Sequence, residues 1–251
     1  MIPKKIHYCW FGGNPLNELG KKCVESWKRY FPDYEIIEWN ESNFDVNCCA
    51  YVKEAYEAKK WAFVSDYARF KILYEHGGLY FDTDVEVIKS FDDILQRGAF
   101  MGCEKKASSA ASPLNLDVNP GLGLGVESGN AFYKEMLDIY HNSHFLNENG
   151  TNNLKTIVEY TTEALVSHGM DIKEDIQLVA GIYVYPYEYF NPKNMSNGKI
   201  TITDNTRSIH HFSASWVDKK MLMRGNIYRF LNRTFGEKTA EIVRSVFGKK
   251  G

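Results

Sequence analysis

Gly77-Gly78-Leu79-Tyr80-Phe81-Asp82-Thr83-Asp84 is the stretch on which the reading of this chain turns. Leu79 to Phe81 is a short apolar strand, and the two glycines before it permit a sharp turn. Side chains alternate along an extended chain, so Asp82 and Asp84 project to the same side. Two carboxylates at a strand end suit a hard divalent cation, which prefers oxygen ligands. In a turn they can divide the work, one binding directly and one through water. A cation held there can neutralise a diphosphate. The bland alternative is an acidic surface turn, because a D-x-D triplet recurs by chance in many chains.

Working outward, a helix over roughly 62–76 precedes the glycines, with Phe63, Tyr67, Phe70 and Tyr74 at steps of three and four. Gly77 and Gly78 are suited to stopping it. Asp66 and Arg69 share a face of this helix at i, i+3. Taken alone they are a surface ion pair worth ~0.3–0.5 kcal/mol. Because the helix feeds the chain into the Asp82 strand, that face can border the same cleft.

Far downstream lies His210-His211-Phe212-Ser213-Ala214-Ser215-Trp216. Imidazole is a common metal ligand, and a strand-borne histidine could complete a site begun by Asp84. A satisfied structural histidine is the alternative. Trp216 can donate its indole N–H to a phosphate oxygen, and Trp10, just before Gly12-Gly13, can stack on a base. Either can equally be core.

The rest of the chain alternates strands and helices. Strands are expected at 6–11, 34–39, 79–81, 85–88, 99–103, 176–185, 199–203 and 208–212. Helices are expected at 19–30, 51–60, 62–76, 131–140 and 152–168. Residues 107–119, rich in Ala, Ser, Pro and Asn, read as a long loop. Gly121-Leu122-Gly123-Leu124-Gly125 matches neither the Rossmann nor the Walker spacing and is expected to be strand or tight loop beside the site. The pattern predicts an α/β sandwich around a mostly parallel sheet.

With 251 residues, 44% of them hydrophobic and 14% aromatic, the chain can bury one large core, with room for an appendage. A net charge of −2 argues against a general nucleic-acid binder. No run approaches the ~20 apolar residues that span a bilayer. The opening residues show no signal peptide, and five cysteines without C-x-x-C spacing read as reduced thiols. Both point to a cytoplasmic protein. Charge is uneven: from Lys219 onward nine cations stand against Glu237 and Glu241, leaving +7 on this end and −9 on the rest.

The order His7-Tyr8-Cys9-Trp10-Phe11-Gly12-Gly13, Ser65-Asp66-Tyr67-Ala68-Arg69-Phe70, Gly77 to Asp84, Tyr185 to Pro192 and His210 to Trp216 closely resembles family 32 glycosyltransferases. These are DXD-containing sugar transferases that include capsule and outer-chain enzymes. The resemblance covers residues 2 to about 217, and the block Phe63 to Asp84 is also similar to the glucosyltransferase domain of the large clostridial toxins. It implies a GT-A fold, a nucleotide-sugar donor (a UDP-sugar before a GDP-sugar), a divalent metal such as Mn2+ or Mg2+, and retention of anomeric configuration. It implies further that Trp10 stacks on the base and that Asp66 and Arg69 hold donor sugar and ribose hydroxyls. Tyr80 would sit by the nucleotide. Asp82 would touch ribose, sugar or metal, and Asp84 would ligate the metal. One of His210 and His211 would be the third protein ligand, and Trp216 would bind the diphosphate.

On this reading residues 1–217 form the catalytic domain and 218–251 a basic helical segment. The acceptor would be a glycan, such as a lipid-linked surface polysaccharide or oligosaccharide. Ile227, Phe230, Leu231, Phe235, Ile242, Val243, Val246 and Phe247 interleave with the cations, so the segment can pack on the domain or lie on an anionic membrane at its inner face. Two rival readings use the same residues. A metal-dependent phosphoesterase would need ligands for two metals ~3.5–4 Å apart, and a non-catalytic carbohydrate-binding protein would need none of the chemistry.

Overall fold

The computed structural model describes residues 1–105, 117–194 and 197–213. The expectations for Trp216, for residues 107–116 and for the basic segment 218–251 lie outside them. The strands are β1 (Lys5–Cys9), β2 (Glu35–Trp39), β3 (Gly78–Tyr80), β4 (Val85–Val87), β5 (Phe100–Gly102), β6 (Leu124–Val126), β7 (Gln177–Val179), β8 (Ile182–Tyr185) and β9 (Ser208–His210). The helices are α1 (Glu18–Tyr30), α2 (Ala50–Glu57), α3 (Trp61–His76), α4 (Asp92–Arg97), α5 (Ala131–His141) and α6 (Ile157–Ser167).

Seven strands form one sheet in the order β2-β1-β3-β6-β5-β8-β7, while β4 and β9 pair separately as an antiparallel ribbon. β2, β1 and β3 are mutually parallel, as are β5 and β8. β6 and β7 run against their neighbours. Five of the seven strands thus point one way, the α/β sandwich with a mostly parallel sheet expected from the alternation of elements. Alternate strand residues feed the two sides: Ile6 and Tyr8 of β1 join the core under α1 and α4, whereas Cys9 joins the core under α2, α3, α5 and α6. Trp27 on α1 is fully buried and donates its indole N–H to the Val85 carbonyl at 2.8 Å, tying that helix to β4.

α3 determines where the chain enters β3. It ends at Gly77 (φ 61°), whose N–H donates to the Leu73 carbonyl at 2.9 Å, and Gly78 follows at φ 107°. A Cβ on Gly78 would lie 2.8 Å from the Lys5 carbonyl oxygen, so both conformation and close approach require glycine there. His7 on β1 braces this turn. It is fully buried, its Nε2–H donates to the Gly77 carbonyl at 3.0 Å, and its Nδ1 accepts the Trp39 indole N–H at 3.0 Å. Those two bonds select the neutral Nε2–H tautomer.

Several boundaries differ from expectation. The helix expected over 152–168 begins only at Ile157, where Thr156 and Glu159 form a reciprocal capping box. The run 176–185 is a hairpin, β7 and β8, reversed at Ala180 (φ 48°) and Gly181 (φ 78°). Residues 199–203 form no strand, and only the bridge between Lys193 and Ile200 remains of it. The short α4 was not expected, because six residues are too few to show a periodicity.

Candidate metal centre

β3 delivers Asp82 and Asp84 to the carboxyl ends of β1 and β3, where open parallel sheets bind ligands. The Asp82 carbonyl accepts the Val85 N–H at 3.0 Å, so the chain turns between the carboxylates and enters β4. β9 pairs with β4 in the register Val85↔His210, which sets the imidazole beside them. His210 Nε2 lies 3.1 Å from Asp84 Oδ1 and 3.8 Å from Asp82 Oδ2. One ligand atom from each of Asp82, Asp84 and His210 falls within a sphere of mutual distances below 4.8 Å.

The donor set fits a divalent cation. His210 is buried, yet neither ring nitrogen makes a directed hydrogen bond. Its contact with Asp84 is one of charge and distance, not aligned donation. A buried orphan nitrogen against two carboxylates is costly unless something lies between them. Without a cation the imidazole compensates by keeping its proton. Burial works to lower its pKa, but the Asp84 and Asp82 carboxylates raise it to about 9. Burial likewise works to raise Asp84. The charge of His210 and the N–H of Ser213, which donates to Asp84 Oδ2 at 2.7 Å, outweigh it and hold Asp84 well below the carboxylate range. A cation binding here would displace the imidazolium proton.

His211 is not part of this cluster. Alternation along the chain turns it to the other side of the ribbon, where Nε2 meets Glu86 Oε2 at 2.8 Å, and Lys22 joins the same carboxylate at 3.0 Å. Of the two histidines expected as alternatives, the structure brings His210 to the carboxylates and takes His211 away.

Asp66 and Arg69 are not a surface pair. Their side chains retain 11% and 5% exposure, and Arg69 Nη2 reaches Asp66 Oδ1 at 2.9 Å and Asp82 Oδ1 at 3.3 Å. Arg69 Nε donates to the Ser65 carbonyl at 3.2 Å, and its guanidinium lies 4.9 Å from the centre of the Tyr80 ring. The Tyr80 hydroxyl donates to Asp82 Oδ1 at 3.2 Å. Burial pushes the Asp66 carboxyl up to about 7 against the pull of Arg69. The i, i+3 spacing therefore reports a buried brace behind Asp82. Trp10 is half-buried at the end of β1 and donates its indole N–H to the Asn14 carbonyl at 2.6 Å.

The glycine-rich run 121–125, expected as strand or tight loop beside the site, does lie against Asp82, just before and along β6. Gly121 packs so closely that a Cβ on it would lie 2.2 Å from Asp82 Oδ2. Its N–H donates to Asn119 Oδ1 at 2.7 Å, and Asn119 Nδ2 donates to Glu104 Oε2 at 2.7 Å. The glycine-rich run was the available signal, through its proximity and not through phosphate-loop spacing.

Residues 17–101 match the family described as glycosyltransferase sugar-binding region containing DXD motif. The D-x-D triplet in that span is Asp82-Thr83-Asp84. The chain is 27% identical over 213 residues to an uncharacterised glycosyltransferase of Acanthamoeba polyphaga mimivirus, covering 77% of each. It is 31% identical over 111 residues to inositol phosphoceramide mannosyltransferase 1 of Schizosaccharomyces pombe, covering 40% of this chain and 33% of that protein. Among solved structures it is similar to the PaToxG glycosyltransferase, with a TM-score of 0.49 and 19% identity over 66% of this chain and 69% of that one. The DXD-bearing region is thus similar to that of glycosyltransferases, and the relatives named by sequence are glycosyltransferases.

Proposed function

We propose that the protein moves a hexose from a nucleotide sugar, a UDP-hexose such as UDP-galactose or UDP-glucose, to a glycan hydroxyl with retention of anomeric configuration. The convergence of Asp82, Asp84 and His210 carries this reading. Asp84 and His210 would hold a divalent Mn2+ or Mg2+ directly, and Asp82 directly or through water. When bound, the cation neutralises the diphosphate that leaves. Asp82 is shared between this duty and the brace from Arg69 and Tyr80, which orients its carboxylate before any ligand arrives.

On this reading Asp66 and Arg69, buried in the brace, would hold sugar and ribose hydroxyls, Tyr80 would sit by the nucleotide, Trp10 would stack on the base and Trp216 would bind the diphosphate. No separate nucleophile is needed. As the bond to the leaving phosphate stretches, the anomeric carbon gains oxocarbenium character, and the acceptor hydroxyl attacks from the same face. The leaving phosphate oxygen takes the acceptor proton. A lipid-linked glycan at the inner face of a membrane, approached through residues 219–251, suits the basic end of the chain, and family 32 is the placement its motif order favours.

A two-metal phosphoesterase is disfavoured, because the described residues contain one cluster with metal-ligand spacing. The test is a hydrolysis and transfer screen over UDP- and GDP-sugars with Mn2+ or Mg2+, on wild type and Asp84→Ala. Metal-dependent release of nucleoside diphosphate, absent in the variant, is expected. Release of inorganic phosphate from simple esters without sugar transfer would overturn the reading.

A further inference from the structure

α5 leads the chain back along α3 toward the start of that helix. Tyr133 packs on Phe70, Tyr140 on Tyr67 and Phe145 on Phe63, with ring centres 5.2, 5.9 and 5.0 Å apart. Phe63 stands on the same face as Asp66, about 4.5 Å before it along the helix axis. Past Phe145 the chain folds into a tight loop. Leu146 bridges Asn152, the Asn147 N–H donates to the Thr151 carbonyl at 2.8 Å, and the Asn153 N–H donates to the Phe145 carbonyl at 2.6 Å. Glu54 on α2 fixes the base of this loop. Its carboxylate accepts the Phe145 and Leu146 N–H groups at 2.8 and 3.0 Å and lies 2.7 Å from His144 Nδ1.

Ser143, His144, Leu146, Asn147, Glu148 and Asn153 line a groove of about 540 Å³ on this loop. That volume lies within the ~300–1,000 Å³ range of ligand sites. The lining favours a neutral, hydroxylated ligand. Among the described residues none of its side chains is a lysine or arginine, and His144 already spends Nδ1 on Glu54, so an anion gains little. Glu148 is its one carboxylate, too little oxygen charge for a divalent cation. The groove offers instead the Glu148 oxygens and His144 Nε2 to hydroxyl groups. Leu146, 42% exposed, offers an apolar surface to the C–H face of a pyranose ring.

We propose that this groove is a distal acceptor subsite, holding sugar units behind the one whose hydroxyl is glycosylated. The proposal rests on the reading of the protein as a transferase to a glycan. Glu148 accepts from adjacent sugar hydroxyls, His144 Nε2 exchanges a hydrogen bond with another, and Leu146 lies against the ring. Asn147 and Asn153 hold the loop in shape. Asn147 Nδ2 donates to Thr151 Oγ1 at 3.0 Å, and Asn153 Nδ2 donates to the Tyr160 hydroxyl at 3.2 Å. A loop fixed before its ligand arrives loses little freedom on binding. Its place suits an extended acceptor. Phe145, between His144 and Leu146, rests on Phe63, so the groove borders the stretch of α3 from which Asp66 and Arg69 meet Asp82. A glycan whose last unit meets the donor over Asp82 can continue past the start of α3 into the groove.

The experiment titrates the full chain with mannose, galactose and glucose oligosaccharides, each from monosaccharide to tetrasaccharide, by calorimetry. The acceptor KM of each is measured in parallel with UDP-galactose or UDP-glucose and Mn2+. In wild type at least one series gains about tenfold or more in affinity beyond the monosaccharide, with a matching fall in KM. Glu148→Ala and Leu146→Ala each flatten this dependence on length by about tenfold, the effect of losing a charge-assisted hydrogen bond or an apolar contact. Both residues are exposed, and circular dichroism verifies that the variants fold. A gain with length that survives in both variants, or no gain in any series, overturns the subsite. Failure of the functional reading looks different: wild type then neither hydrolyses nor transfers from any nucleotide sugar. Calorimetric affinity that grows with length and falls in the variants still locates a glycan site in the groove in that case.

Discussion

Arg69 Nη2 lies 3.3 Å from Asp82 Oδ1, so the helix that leads into the double-glycine turn also grips the carboxylate that follows it. The same nitrogen holds Asp66 at 2.9 Å, and all three side chains meet behind the site. Removing one member of a buried charge cluster leaves the others uncompensated. Arg69→Ala is expected to cost about 3–5 kcal/mol in urea unfolding. Arg69→Lys, a point charge that cannot form the same fork, should keep the fold better yet still lose donor turnover. Full turnover in Arg69→Lys would show that the brace has no part in the reaction.

The two histidines should separate cleanly. His210→Ala is expected to weaken Mn2+ binding, read by calorimetry, by about 100-fold or more, since even residues that only support a ligand cost 10–100-fold. His211→Ala removes a partly buried contact with Glu86 on the far side of the ribbon, away from the cluster, and should leave metal affinity within about threefold of wild type. Equal losses in both variants would contradict the register of β9.

Gly121 is expected to tolerate no side chain. In Gly121→Ala the methyl must displace the Asp82 carboxylate, because the two would stand 2.2 Å apart. Overpacking of this kind costs about 1–3 kcal/mol. The sharper readout is a fall in metal affinity with circular dichroism preserved. Unchanged affinity would mean that Asp82 is not a ligand in its present position.

His7 makes stability depend on acid. Burial lowers its pKa to about 4 from 6.5. Above pH 6.5 the folded and unfolded chains both hold it neutral. Between 6.5 and about 4 the unfolded chain takes a proton that the folded chain refuses, so stability falls as pH falls, by about 3 kcal/mol across the window. Protonation would also oppose the Trp39 indole N–H that Nδ1 accepts. Denaturation of wild type and His7→Gln at a series of pH values should show the difference between them shrinking toward pH 4. A constant difference would exclude His7 as the source.

What could be read from the sequence was local. The Asp82 and Asp84 spacing, the apolar steps of α3 and the glycine stop each lie within one or two elements. Burial of Asp66 and Arg69 could not be read, because i, i+3 spacing is the same on a wet face as on a dry one. The choice of His210 over His211 depends on which residue opposes Val85, and that register is set by a pairing more than a hundred residues away. The hairpin within 176–185 was hidden because Ala180-Gly181 lacks the Asn-Gly or Asp-Gly signal of such turns. The start of α6 was legible after all, in the capping-box spacing of Thr156 and Glu159.

The β4–β9 ribbon has a consequence for how the protein is made. Ser213 closes on Asp84 across 129 positions of chain, and His210 arrives with it. A ribosome adding ~5–20 residues per second exposes the two carboxylates on the order of ten seconds before their imidazole partner exists. A nascent chain therefore carries Asp82 and Asp84 without the ligand that would complete a cation site. Assembly of that site waits until translation has passed β9, so that competence to hold a metal reports that this part of the polypeptide has been delivered.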